Sequence, residues 1–452
     1  MTVTIGPPQT RRRQELGARM RSRRPATRTP DESLAKRLVW LTWALLVLNA
    51  LTFYPGVSAL HIPNIVGKAI TQGALPLALL VAIWVNRRLV IRPNVHLSLL
   101  SLLLFAAILT SFQPQHLGTV YRTFRLAEFI AALWLLTPWW GRRDLLLLRC
   151  HLTTIFILQA TVILGLFVSP GKARAEGRLA GVLWPVPPTQ VAHYAAVTTG
   201  VLLLMWFCGR VRGRLVLAAV VVELAILILT HTRTALLGLI VGLIVGGLSL
   251  IKVNFRIRKV YAVAGIIAAT AAMTMSGFIV AWLTRGEGTQ ELTQLTGRTV
   301  VWGQVLGFPR SSFQMIFGFG LSNSSFNGLP IDSNWLSSYD ELGIFGVCVC
   351  VLVLVFLVVN AYFQPRSMER ALALFLVVYC IMASFTETGI TDVSPYILEV
   401  TLAASMMVQA RTRSQNRQWR PTRTSAKPAA LRPAAAPDAA ITSLETSSSI
   451  IA

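Results

Sequence analysis

Between residues 38 and 410 the chain returns repeatedly to apolar runs, each long enough to cross about 30 Å of hydrocarbon as a helix of about 20 residues. We read twelve spans, at 38–57, 65–85, 95–112, 122–140, 145–168, 188–207, 215–231, 234–251, 260–283, 338–360, 371–388 and 394–410. In lipid the backbone has to satisfy its own hydrogen bonds, and a helix does so within one segment. With 54% hydrophobic residues, 13% charged residues and a mean hydropathy of +0.61, the composition lies outside that of water-soluble domains. The expected fold class is an all-α integral membrane protein. It has about twelve transmembrane helices and a large extracytoplasmic loop between spans nine and ten.

Charge placement orients the spans. The basic turns "NRRLVIR", "GRRD", "GRVRGR", "KVNFRIRK" and "QPRSMER" fall at every second connection, as expected of the cytoplasmic side of a multi-pass protein of the cytoplasmic (inner) membrane. Both termini then lie in the cytoplasm. The net charge of +24 is read as this topology meeting anionic membrane lipids, with no nucleic acid as partner. Residues 1–37 and 411–452 are poor in large apolar side chains and are expected to be disordered, leaving 38–410 as the membrane domain. The five cysteines show no metal-type C-x-x-C spacing and are read as small hydrophobes.

Ten bases fall on the outer side against this trend, among them Lys68, Arg122, Arg125, Arg178, Arg233 and Arg298, which suggests an anionic ligand there. One by one, such arginines also read as side chains snorkelling to lipid phosphates. Two outer connections are long, 169–187 and 284–337. In the second, "TGRTVVWGQVL" is expected to form a short helix on the membrane, with Val300, Val301 and Leu306 toward lipid and Arg298 turned away. The outer loops lack a cluster of Asp, Glu and His, so no metal and no other cofactor are expected.

Five segments occur in order: "RLAGVLWPVPPTQVA" at 178–192, "LTHTRTALL" at 229–237, "GRTVVW" at 297–302, "FGFGL" at 317–321 and "SNWLSSYDELGIFG" at 333–346. Together they resemble the O-antigen ligase and O-antigen polymerase family of polytopic membrane enzymes. The resemblance covers 178–346 directly, and the span layout agrees with it over about 35–410. It implies a metal-independent glycosyltransferase of surface polysaccharide synthesis, acting on the outer face of the membrane. The implied partners are a polyprenyl diphosphate-linked glycan donor and a glycan or lipid-glycan acceptor.

In that family a serine-or-threonine/arginine pair at the outer end of a helix meets the diphosphate, and Thr232 and Arg233 match it. Arg298 matches a second such arginine and Arg178 a third. A guanidinium offers a planar fork of donors suited to phosphate oxygens. The sequence departs from the family at Asp332, where ligases place a histidine, and at "PPTQ", where Pro-Asn is common. Asp332 is therefore read either as the proton acceptor or as a cap for the next helix.

Further substrate-binding candidates are His231, Arg122, Arg125 and Glu341, against interfacial, ion-pairing or helix-orienting roles. Arg125 is expected to pair with Glu128. The alternative to an enzyme is a twelve-span flippase or transporter of lipid-linked glycans, but no half-to-half repeat is visible and the long connection is an outer one. Polymerase and ligase differ in their acceptor, which the sequence leaves open.

Overall fold

Capping residues and prolines decide where the apolar runs begin to coil. Asn94 accepts hydrogen bonds from the amides of His96 and Leu97, Ser367 from Arg370 and Ser394 from Ile397, while Pro188 and Pro395 occupy first helical turns. The computed structural model describes residues 30–59, 62–112, 117–142, 144–174, 177–252, 255–277, 298–322 and 324–408.

The helices are α1 (Pro30–Asn49), α2 (Asn64–Val85), α3 (Val95–Ser111), α4 (Leu117–Leu136), α5 (Leu146–Val168), the short α6 (Pro170–Ala173), α7 (Pro188–Phe207), α8 (Gly213–Leu229), α9 (Arg233–Leu248) and α10 (Phe255–Thr274). There follow α11 (Arg298–Gly307), α12 (Ser312–Phe317), a two-residue hairpin of β1 (Ser325–Phe326) and β2 (Leu329–Pro330), α13 (Asn334–Phe363), α14 (Met368–Ala383) and α15 (Pro395–Met407). The described chain is thus nearly all helical. Each of the twelve expected runs overlaps one of these helices, and α2, α5, α7, α10 and α13 are long and apolar enough to cross a membrane.

Several boundaries differ from expectation. Residues 30–37, assigned to the basic tail, form the first two turns of α1, where Glu32 pairs with Lys36 and Arg142. That helix stops at Asn49, because the residues beyond it turn aside to line a cavity. Helix α4 starts at Leu117, so Arg122 and Arg125 lie inside it and not at its mouth. Residues 1–29 of the basic tail, the C-terminal tail and the end of the ninth span lie outside the described residues.

Helices α7, α14 and α15 form the centre and are apolar on nearly every face, as buried helices are. Peripheral helices instead present large apolar side chains outward, such as Leu80, Leu217, Val221 and Leu352. Close packing at the centre depends on glycine. A Cβ on Gly200, Gly242 or Gly246 would collide with Phe375 or with the Ala371 carbonyl, so α7 and α9 sit backbone-close to α14.

Successive long helices run in opposite senses. At one end Asn49 donates to the Thr71 carbonyl, Thr52 N–H to Gln190, and Asn334 N–H to the Ser384 carbonyl. At the other Asn86 donates to the Leu135 carbonyl, Gly141 N–H to Ser405 O and Gln364 to Met407 O. The first is the cavity end.

Helix α13 breaks at Gly343, whose φ of 64° and ψ of −164° are not helical. The break frees carbonyls near it, and two are taken by a neighbouring loop: Phe319 N–H donates to Asp340 O at 2.9 Å and Gly320 N–H to Glu341 O at 2.8 Å. A Cβ on Gly343 would meet Ile316 O, and one on Gly318 the Glu341 backbone. "FGFGL" and "DELGIFG" are therefore two halves of one tight junction.

Candidate functional site

A cavity of about 410 Å³ opens at the cavity end between α1, α2, α4, α7 and the 384–394 connection. Its charged lining comprises Lys68, Arg122, Arg125, Glu387 and Asp392, with His193 beside them. Asn49 is the inner strut. Its Nδ2 donates to Thr71 O at 2.7 Å and its Oδ1 accepts from Arg125 Nη2 at 3.2 Å. Arg125 thus reaches Asn49, and no ion pair joins it to Glu128 among the described residues. Arg122 lies 3.4 Å from Asp392.

The connection carrying Glu387 is fixed by Asn334 at the start of α13. Asn334 Oδ1 accepts from Ile390 N–H at 2.8 Å and Gly389 N–H at 3.3 Å, and its Nδ2 donates to Cys350 Sγ. Gly389 has φ 131°, and a Cβ there would meet Ser394. Thr386 shares a 2.7 Å hydroxyl contact with Thr234, which follows Arg233.

Glu387 lines the cavity and is acted on by charges both within and beyond its wall. Burial raises its pKa to about 7, and the negative charge of Asp332 acts in the same direction, while Arg298, His193 and Arg178 oppose it. Arg178 and Arg298 do not themselves line the cavity, and both act on this carboxylate through their charge alone.

Arg178 donates from Nε to Thr230 O at 2.9 Å and from Nη2 to Thr232 Oγ1 at 3.1 Å, bolting the 177–187 loop to the turn before Arg233. In that turn His231 has φ 50°, at a helix C-terminus where glycine is usual. Arg298 Nε lies 3.2 Å from Asp332 Oδ2. Asp332, with φ 45°, does not cap α13, since Ser333 holds that position.

Of the loop helix side chains expected to face lipid, Val300 and Leu306 are exposed, whereas Val301 is buried against Ile331. Glu341 is buried and accepts from Ser322 N–H, Ser322 Oγ and Ser324 N–H, anchoring the 317–324 loop. Arg310 is buried too, with Nη2 2.9 Å from Asp340 Oδ1 and its guanidinium over Phe319 and Tyr339. Among the described residues no group of three His, Cys, Asp or Glu is placed to hold a metal ion.

Behind the cavity lies an unanticipated cluster. His193 Nε2 lies 2.6 Å from Glu399 Oε1, and His151 Nε2 lies 3.9 Å from the same oxygen. Trp43 Nε1 donates to His151 Nδ1 at 3.3 Å, and Cys380 Sγ lies 3.6 Å from Glu399 Oε2. All are almost wholly buried. No sequence motif marks the cluster, although three ionisable residues within apolar runs are themselves a signal of function.

No protein-family model matches the chain, and a search of curated proteins finds no match.

Proposed function

We propose that the chain is a membrane glycosyltransferase drawing on a polyprenyl diphosphate-linked glycan at the outer face of the cytoplasmic membrane, to polymerise or ligate a surface polysaccharide. The observation that supports this best is a cavity of about 410 Å³ whose charged lining is Lys68, Arg122, Arg125, Glu387 and Asp392, with Arg178 and Arg298 acting electrostatically on Glu387 from beyond that lining. In this reading the basic turns face the cytoplasm, twelve helices cross the membrane, and the cavity end lies outside.

No nucleotide sugar or ATP is available there, so the bond to be broken has to arrive already activated on the lipid. An acceptor hydroxyl attacks the anomeric carbon, the bond from that carbon to the diphosphate oxygen breaks, and the hydroxyl proton passes to a carboxylate. Arg178, Arg233 and Arg298 receive the charge developing on the diphosphate. Glu387, at the cavity wall and with a pKa near neutrality, is the better-placed proton acceptor, and Asp332 orients Arg298.

The test is transfer by purified full-length protein in lipid nanodiscs from a polyprenyl diphosphate glycan. Arg298→Lys and Arg233→Lys keep the charge but lose the bidentate fork, at about 1.5–3 kcal/mol for each charge-assisted hydrogen bond. Turnover should fall about ten- to hundredfold in each, and less than additively in the double variant. Transfer should also survive excess chelator. Unchanged turnover in both single variants would move the site elsewhere.

A second reading, a flippase for lipid-linked glycans, is favoured by the buried His193–Glu399–His151 cluster, since intramembrane ionisable groups commonly serve proton-coupled transport. Proteoliposomes without acceptor separate the two: donor crossing the bilayer supports the flippase, and glycosidic bond formation on adding acceptor supports the enzyme.

A further inference from the structure

The cavity wall combines two kinds of recognition. Gln72 and Thr189 offer an amide and a hydroxyl suited to a polyhydroxylated ligand, while Asn49 and Gln190 are bonded within the protein and hold the wall in shape. Charge is added asymmetrically, with Lys68, Arg122 and Arg125 facing only Glu387 and Asp392. Arg122 is spent on Asp392, at 3.4 Å.

Lys68 and Arg125 supply the surplus. Lys68 is exposed to the cavity and has no carboxylate partner among the described residues. Arg125 donates to the neutral Asn49 through Nη2 and lies over the Tyr121 ring, Glu128 acts on it only from beyond ion-pair distance, and its buried Nε has no hydrogen-bond partner among the described residues. A buried guanidinium N–H left unpaired is costly, so its natural partner is an oxygen that enters with the ligand. The Asn49–Thr71 bond ties the two cations into one frame, since Thr71 Oγ1 also bonds the Lys68 carbonyl.

A diphosphate fits this wall poorly. Glu387 and Asp392 would stand against its multiple charges, and Arg178, Arg233 and Arg298, assigned above to the diphosphate, are not among the lining residues. A single carboxylate on a sugar ring fits well: one anionic group for Lys68 and Arg125, with ring hydroxyls donating to Glu387 and Asp392. The volume of about 410 Å³ allows on the order of one or two sugar rings.

Resting on the glycosyltransferase reading, we propose that this cavity is a saccharide subsite selective for an acidic sugar, with Lys68 and Arg125 binding the carboxylate of a uronic acid residue of the acceptor or donor glycan.

Saturation-transfer NMR on the full chain in nanodiscs tests it, with the methyl glycosides of glucuronic, galacturonic and mannuronic acids beside their neutral parent hexosides. At least one uronate should bind about tenfold tighter than its parent. Lys68→Gln and Arg125→Gln should each abolish that preference while leaving the neutral hexoside signal, which also reports that the cavity remains folded. Inorganic diphosphate, the probe for Arg178, Arg233 and Arg298, should leave the uronate signal in place.

Equal binding of acidic and neutral glycosides, or binding of none, overturns the proposal. So does displacement of the uronate by diphosphate, which would assign the cavity to the lipid carrier. If glycosyl transfer fails while uronates bind selectively, the enzyme reading falls and the acidic-sugar subsite stands. If transfer proceeds without selectivity, the subsite falls alone.

Discussion

At the scale of single residues, Glu387 and Glu399 illustrate opposite uses of a carboxylate. Glu387 stands at the cavity with its pKa raised to about 7, by burial first and then by Asp332. Its basic form therefore exists above about pH 7, and turnover should fall about tenfold per pH unit below it. Arg298 lowers this pKa and Asp332 raises it. Arg298→Gln should accordingly move the midpoint upward and Asp332→Asn downward, while Glu387→Gln should remove the limb. A pH–rate profile measured at saturating donor checks all three, and a profile flat from pH 5.5 to 8 would remove Glu387 from the chemistry. Glu399 instead lies buried against His193, 2.6 Å away. Removing one partner of such a contact leaves the other uncompensated in a low-dielectric interior, so Glu399→Ala should cost about 3–5 kcal/mol. Glu399→Gln, which keeps an acceptor oxygen, should cost less in the same unfolding titration of purified protein.

At the scale of elements, what was legible in the sequence follows from what leaves a local signature. Helices whose apolar runs are bounded by caps or prolines fall within a residue or two of expectation, as α7 and α3 do with Pro188 and Asn94. The first helix was misjudged at both ends. Its Glu32–Arg142 and Lys36–Asp144 contacts reach across the fold, and no local pattern announces them. The site shows the same division. Arg178, Arg233 and Arg298 stand out as charges near apolar runs, whereas the 384–394 connection reads only as the end of a span. Its importance comes from Asn334, which binds it from another helix. Helix packing was equally hidden, because Gly242 and Gly246 of α9 are ordinary until Phe375 and the Ala371 carbonyl are placed against them. Gly242→Ala should destabilise by about 1–3 kcal/mol through overpacking, and Phe375→Leu in the same chain should recover part of the loss. Thermal unfolding of the single and double variants measures both. No coupling between them would mean that α9 and α14 do not pack as described.

At the scale of the whole molecule, the arrangement of charge and the antiparallel run of helices support one another. Arg87, Arg88, Arg92 and Arg142 lie near the end where Asn86 meets Leu135 and Gly141 meets Ser405. Lys68, Arg122, Arg125 and Arg178 lie at the end that holds the cavity and its neighbouring loops. A bilayer sorts such a molecule by the first group, since short basic turns stay in the cytoplasm. On the proposed topology the bases at the cavity end would then lie outside, against the sorting tendency, as the proposed ligand binding requires. The two ends can be told apart by labelling. In a chain with its five native cysteines replaced, a cysteine at Leu329, exposed on the β1–β2 hairpin, should react with a membrane-impermeant maleimide in intact cells. A cysteine at Arg88, in the exposed turn after α2, should react only after the membrane is opened. The reverse pattern would put the cavity in the cytoplasm, where nucleotide sugars are present. The need for a lipid-activated donor would then vanish, and with it the case for an outer-face transferase.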